Sequence, residues 1–188
     1  MYKTKQSNHT FQLIEISLYA ALIIIGIYFF RFPMPSAISN SFVHMGNALV
    51  AVGALLMGSK RGAIAASIGL LIFDITAGYA TSAPFTVLES LIVILMIHLV
   101  FFKLLKGNDK PANIIITGIV AALTKLVVIY IKFLLAQMAL GLNVTAAMIV
   151  AFSALPASVF TAFVTAILVP ILYFPMKRVV ERFHPVGQ

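Results

Sequence analysis

The stretch "GAIAASIGLLIFDITAGYATSAPFTVLESLIVILMIHLVFF" (Gly62 to Phe102) decides the fold. It holds two long apolar runs separated by a short turn-like segment rich in Gly, Thr, Ser and Pro. Each run is close to the roughly 20 residues that an α-helix needs to cross about 30 Å of hydrocarbon. Within these runs stand two carboxylates, Asp74 and Glu89, whose presence in so apolar a setting calls for a reason.

The whole chain repeats this pattern. Of its 188 residues, 62% are hydrophobic and only 10% charged, far more apolar surface than one soluble core of that length hides. Six spans are predicted, at Leu13 to Phe30, Phe42 to Gly58, Gly62 to Ala80, Pro84 to Phe102, Ala112 to Ala136 and Ala146 to Phe174. Continuous runs of this length favour helices, since a membrane barrel shows short alternating segments. The expected fold class is therefore an all-α integral membrane protein, a single bundle of six transmembrane helices forming one domain over residues 1–188. One or both of Pro156 and Pro170 are expected to bend the sixth span, or Pro170 to mark its cytoplasmic exit. The polar leader before the first span lacks a small-residue cleavage site and reads as part of a retained helix.

Charge placement sets the orientation. Ten of the thirteen Lys and Arg residues fall in four segments: Lys3 and Lys5, Lys60 and Arg61, Lys103, Lys106 and Lys110, and Lys177, Arg178 and Arg182. By the excess of Lys and Arg in cytoplasmic connections, these segments and both termini face the cytoplasm. Small residues prepare close packing, with Gly62, Ala66 and Gly69 on the third span and Gly46 and Gly53 on the second.

Counting 1.5 Å per residue from the predicted span ends puts Asp74, Glu89, Lys125 and Lys132 in the outer half of the membrane, with His44 and Asn47 opening the second span from the same side. An ionised side chain at mid-membrane costs at least about 2.5–3.5 kcal/mol, so such residues face the bundle interior and have partners. One reading is an ion pair of Asp74 or Glu89 with Lys125 that pins helices together. The favoured one is a ligand pocket open to the outside, with Tyr79 and Tyr130 as aromatic walls. Glu15 and His98 belong to the inner half as interfacial or packing residues, and the hydroxyls of Ser158, Thr161 and Thr165 are expected to bond back to their own helix.

Several function classes are excluded. No GxxxxGK[ST] phosphate loop is present, so the chain does not itself hydrolyse ATP. No metal-ligand spacing such as HExxH occurs, there is no cysteine, and Ser90 and His98 lie about 12 Å apart along one helix, too far for a nucleophile and its base. The chain is not expected to be an enzyme, to hold a cofactor or metal, or to bind nucleic acid.

The block "FVHMGNALVAVGALLMGSKRGAIAASIGLLIFDITAGYATSAPFTVLES" (Phe42 to Ser90), with its pattern GxxxGxxAAxxGLxxFD, resembles the substrate-binding S component of energy-coupling factor (ECF) vitamin transporters. The likeness is greatest to the riboflavin-type branch and its pyridoxine or hydroxymethylpyrimidine relatives. It implies a multi-pass protein of the bacterial cell membrane that captures a vitamin at the outer face and joins a transmembrane scaffold subunit and two cytoplasmic ATPases. It further implies a lid over Arg31 to Phe42, containing Asn40, and a substrate site in which Asn143 joins Glu89 and Lys125. With the residues placed by depth, the expected substrate-binding set is Asn40, His44, Asn47, Asp74, Tyr79, Glu89, Lys125 and Asn143. The family's scaffold contact, an AxxxA pattern on the first helix, is kept here only as Ser17 and Ala21. Two carboxylates and a lysine suit a small heteroaromatic molecule with hydroxyl groups, pyridoxine or hydroxymethylpyrimidine foremost, with riboflavin or pantothenate as further candidates. The alternative is an ion- or proton-coupled secondary transporter that uses Asp74 and Glu89 as its relay; a third is a structural subunit without a ligand.

Overall fold

The computed structural model describes residues 2–33 and 42–183. Helix α1 (Tyr2–Phe29) leads into a small antiparallel ribbon, β1 (Arg31–Pro33) with β2 (Phe42–His44), in which Arg31 lies opposite His44 and Phe32 opposite Val43. There follow α2 (Gly46–Met57), α3 (Ser59–Thr76), α4 (Ala83–Ile97) with a π-helical continuation (His98–Leu104), α5 (Pro111–Ala139), α6 (Val144–Ser153) and α7 (Pro156–Phe183). Among the described residues four helices are long and apolar enough to cross a membrane, over His9–Phe29, Ala83–Leu104, Pro111–Ala139 and Pro156–Arg182, and α2 and α6 are shorter apolar helices.

Helix α2 is the centre of the bundle. Apart from Asn47 it is apolar all round, and a helix without a polar face is stable only when surrounded. All its residues but Asn47 and Leu56 are buried, and it touches α1, α3, α4, α5 and α7. Glycine permits this crowding. A side chain at Gly62 of α3 would come within 2.6 Å of Ala54 Cα, and one at Gly69 within 2.9 Å of the Ala20 carbonyl oxygen of α1. The small-residue face expected on the third span is thus where α3 meets its two neighbours backbone to backbone. The periphery is the reverse of a soluble protein: Leu18, Leu88, Leu95, Val127, Phe163 and Ile171 are all exposed. Such a belt fits hydrocarbon as the solvent.

Three polar contacts fix one end of the bundle. Arg61 Nη1 donates to Glu15 Oε2 at 2.7 Å, joining α3 to α1. Ser59 Oγ and His98 Nδ1 share a hydrogen bond of 3.0 Å between the start of α3 and the end of α4. Lys177 of α7 pairs with Asp109 in the loop before α5. That tie holds the Asp109 carboxyl below the ordinary aspartate value, chiefly through the hydrogen bond from Lys177. Glu15 and His98 therefore serve in packing, and this end gathers Lys60, Arg61, Lys103, Lys106, Lys110 and Lys177.

The sequence expectation fails in the last third of the chain. The sixth span is two helices, α6 and α7, interrupted at Ala154 and Leu155. Pro156 neither bends nor kinks a long helix. It opens a new one, because the proline ring disfavours helical geometry at the preceding residue and fits the first helical position. Pro170 and Pro175 lie inside α7, so Pro170 is not its exit. The second span is likewise shorter than expected, since Phe42–His44 is strand and α2 starts only at Gly46.

Candidate functional site: a buried ion-pair cluster between α4 and α5

Glu89 sits two turns into α4 with only 5% of its surface exposed. Its Oε2 lies 2.7 Å from Lys125 Nζ and its Oε1 lies 2.6 Å from Lys132 Nζ. Both lysines come from α5, seven residues apart and so on one helix face. A single carboxylate therefore gathers two ammonium groups. Their exposure differs: the Lys125 side chain is 11% exposed and that of Lys132 36%. Withdrawing these charges from solvent costs several kcal/mol per ion, which the close contacts offset.

Asp74 completes the charge set from α3. It is 5% exposed, close to the end of its helix, where the backbone carbonyl ends carry partial negative charge. Its backbone oxygen accepts from Tyr79 N at 2.7 Å as the chain turns through Gly78, whose φ of +86° favours glycine. The carboxylate is within hydrogen-bonding reach of the Thr86 hydroxyl and in electrostatic reach of Glu89, Lys125 and Lys132. Its Oδ2, however, is buried with no hydrogen-bond partner. Leaving a buried acceptor unsatisfied costs about 1–3 kcal/mol, more when it is charged. With all four groups ionised, the two carboxylates and two lysines sum to zero.

Beside the cluster is a cavity with room for about one water molecule, bordered by Asn47, Val50, Ser90, Val93, Ala121, Lys125 and Thr165. Its hydroxyl protons are already engaged. Ser90 Oγ donates to the Thr86 carbonyl at 2.9 Å and Thr165 Oγ to the Thr161 carbonyl at 2.8 Å. Thr161 Oγ in turn donates to the Ala157 carbonyl at 2.9 Å. The oxygens of Ser90 and Thr165 still offer lone pairs to the cavity, next to the Lys125 ammonium and the Asn47 amide.

The expected residues fall in different places. Asp74, Glu89 and Lys125 come together, and Asn47 borders the adjoining cavity. His44 and Tyr79 are half-buried. The Gly46 N–H donates to His44 Nδ1 at 3.0 Å, so this ring nitrogen carries no proton and helps to close the start of α2. Asn143 is exposed, and its side chain accepts from Ala146 N at 2.9 Å as the N-cap of α6. Asn40 and most of the expected lid lie outside the described residues. Ser17 and Ala21 are both exposed on α1. Absent from the expected set are Lys132, Ser90 and Thr165. Lys132 was legible as the residue seven after Lys125; Ser90 and Thr165 carry no signal beyond being hydroxyls in an apolar run.

Comparison with known proteins places this geometry. The model of the family described as "ECF-type riboflavin transporter, S component" matches residues 7–178. Among solved structures, the one described as "Structure and mechanism of the S component of a bacterial ECF transporter" superposes with a TM-score of 0.70 at 17% identity, over 92% of this chain and 99% of that chain. At this identity the likeness is one of fold. No curated protein sequence matches the chain.

Proposed function

The chain belongs to the family of ECF-type riboflavin transporter S components, a family of membrane-embedded transporter subunits and not of enzymes, and on that premise we propose that it binds riboflavin or a close flavin relative for ATP-driven uptake by partner subunits. The family match moves the preferred substrate from pyridoxine or hydroxymethylpyrimidine to riboflavin. The observation that carries the reading is the buried cluster of Glu89, Lys125 and Lys132 with Asp74 beside it, since ionisable groups held inside a membrane bundle mark ligand or ion sites.

In this reading the ligand enters between α4 and α5. It displaces the half-exposed Lys132 from Glu89 Oε1 and meets Lys125, Asn47 and Asp74 deeper in the bundle, with Tyr79 on one side. Six spans with both termini in the cytoplasm place the Lys- and Arg-rich end inside and the cluster toward the outside. The helices α2 and α3, shorter or less apolar than the rest, complete the six together with the four long ones. Ser17 and Ala21, exposed on α1, would meet the scaffold subunit, and two ATPases would supply the energy this chain cannot.

The test is direct because the flavin ring itself supplies the signal. Purified protein in detergent, titrated into riboflavin, is expected to quench the flavin fluorescence in a saturable manner, and mass spectrometry of the purified protein to find a flavin. Saturable binding of another vitamin, with riboflavin inert, would replace the substrate; no binding of any vitamin would remove the function.

A further inference from the structure

Asp74 is held at a cost that the chain relieves only in part: Thr86, Lys125 and Lys132 lie near its carboxylate, yet Oδ2 has no hydrogen-bond partner. It is nineteen-twentieths buried, and it lies near the negative end of the α3 dipole. Its neighbours are shared with other groups. Lys125 and Lys132 place their ammonium groups 2.7 and 2.6 Å from Glu89, and the Thr86 hydroxyl, with one proton to give, is in reach of both the Ser82 carbonyl at 3.2 Å and the Asp74 carboxylate. Glu89, the remaining neighbour, is an acceptor when ionised. Oδ2 itself is left without a donor. Glu89 Oε1 is likewise buried without a hydrogen bond, but the Lys132 ammonium stands 2.6 Å from it, whereas among the described residues Asp74 forms no such ion pair.

We infer that Asp74 is a specificity-determining residue whose Oδ2 accepts a hydrogen bond from an N–H or O–H of the bound ligand, so that the site selects molecules carrying a donor at that point. The inference rests on the flavin reading above, and it sharpens it. Riboflavin offers two kinds of donor: the imide N–H of the ring and the hydroxyls of the ribityl chain. A ligand lacking the relevant donor leaves Oδ2 unsatisfied in the complex as well, and a site built around a buried polar group rejects such an analogue strongly.

The experiment pairs ligand and protein changes. Dissociation constants are measured by fluorescence for riboflavin, for riboflavin methylated at the imide nitrogen, and for a flavin with a methyl group in place of the ribityl chain, on the wild type, Asp74→Leu and Asp74→Asn. In the wild type one of the two analogues is expected to bind at least tenfold more weakly than riboflavin. In Asp74→Leu that ratio falls to twofold or less. Asp74→Asn, which keeps an acceptor oxygen and the size of the side chain, retains part of the discrimination and stands in should Asp74→Leu fail to fold. Equal discrimination by wild type and variants, or none by the wild type, overturns the inference. Failure of the wild type to bind riboflavin at all instead overturns the flavin reading, and the inference falls with it.

Discussion

Glu89 Oε2 and Lys125 Nζ stand 2.7 Å apart, joining α4 to α5 at a point where Glu89 is almost wholly withdrawn from solvent. Lys132 shares the same carboxylate through its other oxygen. The three side chains are energetically unequal. Removing the carboxylate leaves two ammonium groups facing each other, so Glu89→Leu is expected to destabilise the protein by roughly 3–5 kcal/mol. Lys132→Met removes a half-exposed partner and is expected to cost under about 1 kcal/mol. Denaturation midpoints in detergent measure both; equal losses would contradict the asymmetric arrangement.

Ligand binding should rank these residues differently. Lys125→Met keeps the length of the side chain and removes its ammonium from the cavity wall, and is expected to weaken flavin binding by about 1–3 kcal/mol, the range for an unsatisfied buried partner. A variant with unchanged affinity and a lowered denaturation midpoint would assign Lys125 to helix packing alone.

Close backbone contact makes Gly62 intolerant of even one methyl group. A Cβ there lies 2.6 Å from Ala54 Cα, which cannot rotate aside, so Gly62→Ala is expected to cost about 1–3 kcal/mol. Ile64→Ala, on an exposed part of the same helix, should stay within about 0.5 kcal/mol. A tolerated Gly62→Ala would mean that α2 and α3 sit farther apart.

The Asp109–Lys177 tie predicts a pH response at the Lys- and Arg-rich end. The Asp109 carboxyl is depressed in the folded protein, chiefly by the hydrogen bond from Lys177. Its contribution is therefore present above the pKa of an unfolded aspartate and is lost as pH falls through the lower folded value. Both groups are about a third exposed, so the effect is small. The acid limb of the denaturation profile should flatten slightly in Asp109→Asn; an identical limb would show that the tie contributes nothing.

Much of this was legible because burial in a membrane imposes a long apolar period that few other folds share. The Gly62 to Phe102 run yielded two helices and the turn between them, and the intramembrane charges stood out by their rarity. The division of the last apolar run was not legible, since "ALPAS" (Ala154 to Ser158) is apolar on both sides of its break and a proline reads equally as a kink or a first helical residue. Asn143 carried a local signal of its own that was not read: an Asn immediately before a helix is its preferred cap. The sharing of one carboxylate by two lysines depends on how α4 and α5 pack, which no single helix period contains.

Orientation can be read with single cysteines, since the chain has none of its own. Cysteines at the exposed positions Asn108 and Ser82 lie in the loop after α4 and in the loop before it. In intact cells an impermeant thiol reagent is expected to label the residue at 82 and spare that at 108. The reverse pattern would turn the bundle over and put the ion-pair cluster toward the cytoplasm.

The central claim is that this chain captures a vitamin for an ATP-driven partner. The most direct measurement is riboflavin uptake into vesicles containing this chain with and without the scaffold and ATPase subunits. Uptake that requires all of them and ATP, and that falls in Lys125→Met, is the predicted result. Uptake by this chain alone, driven by a proton or sodium gradient and indifferent to ATP, would contradict it.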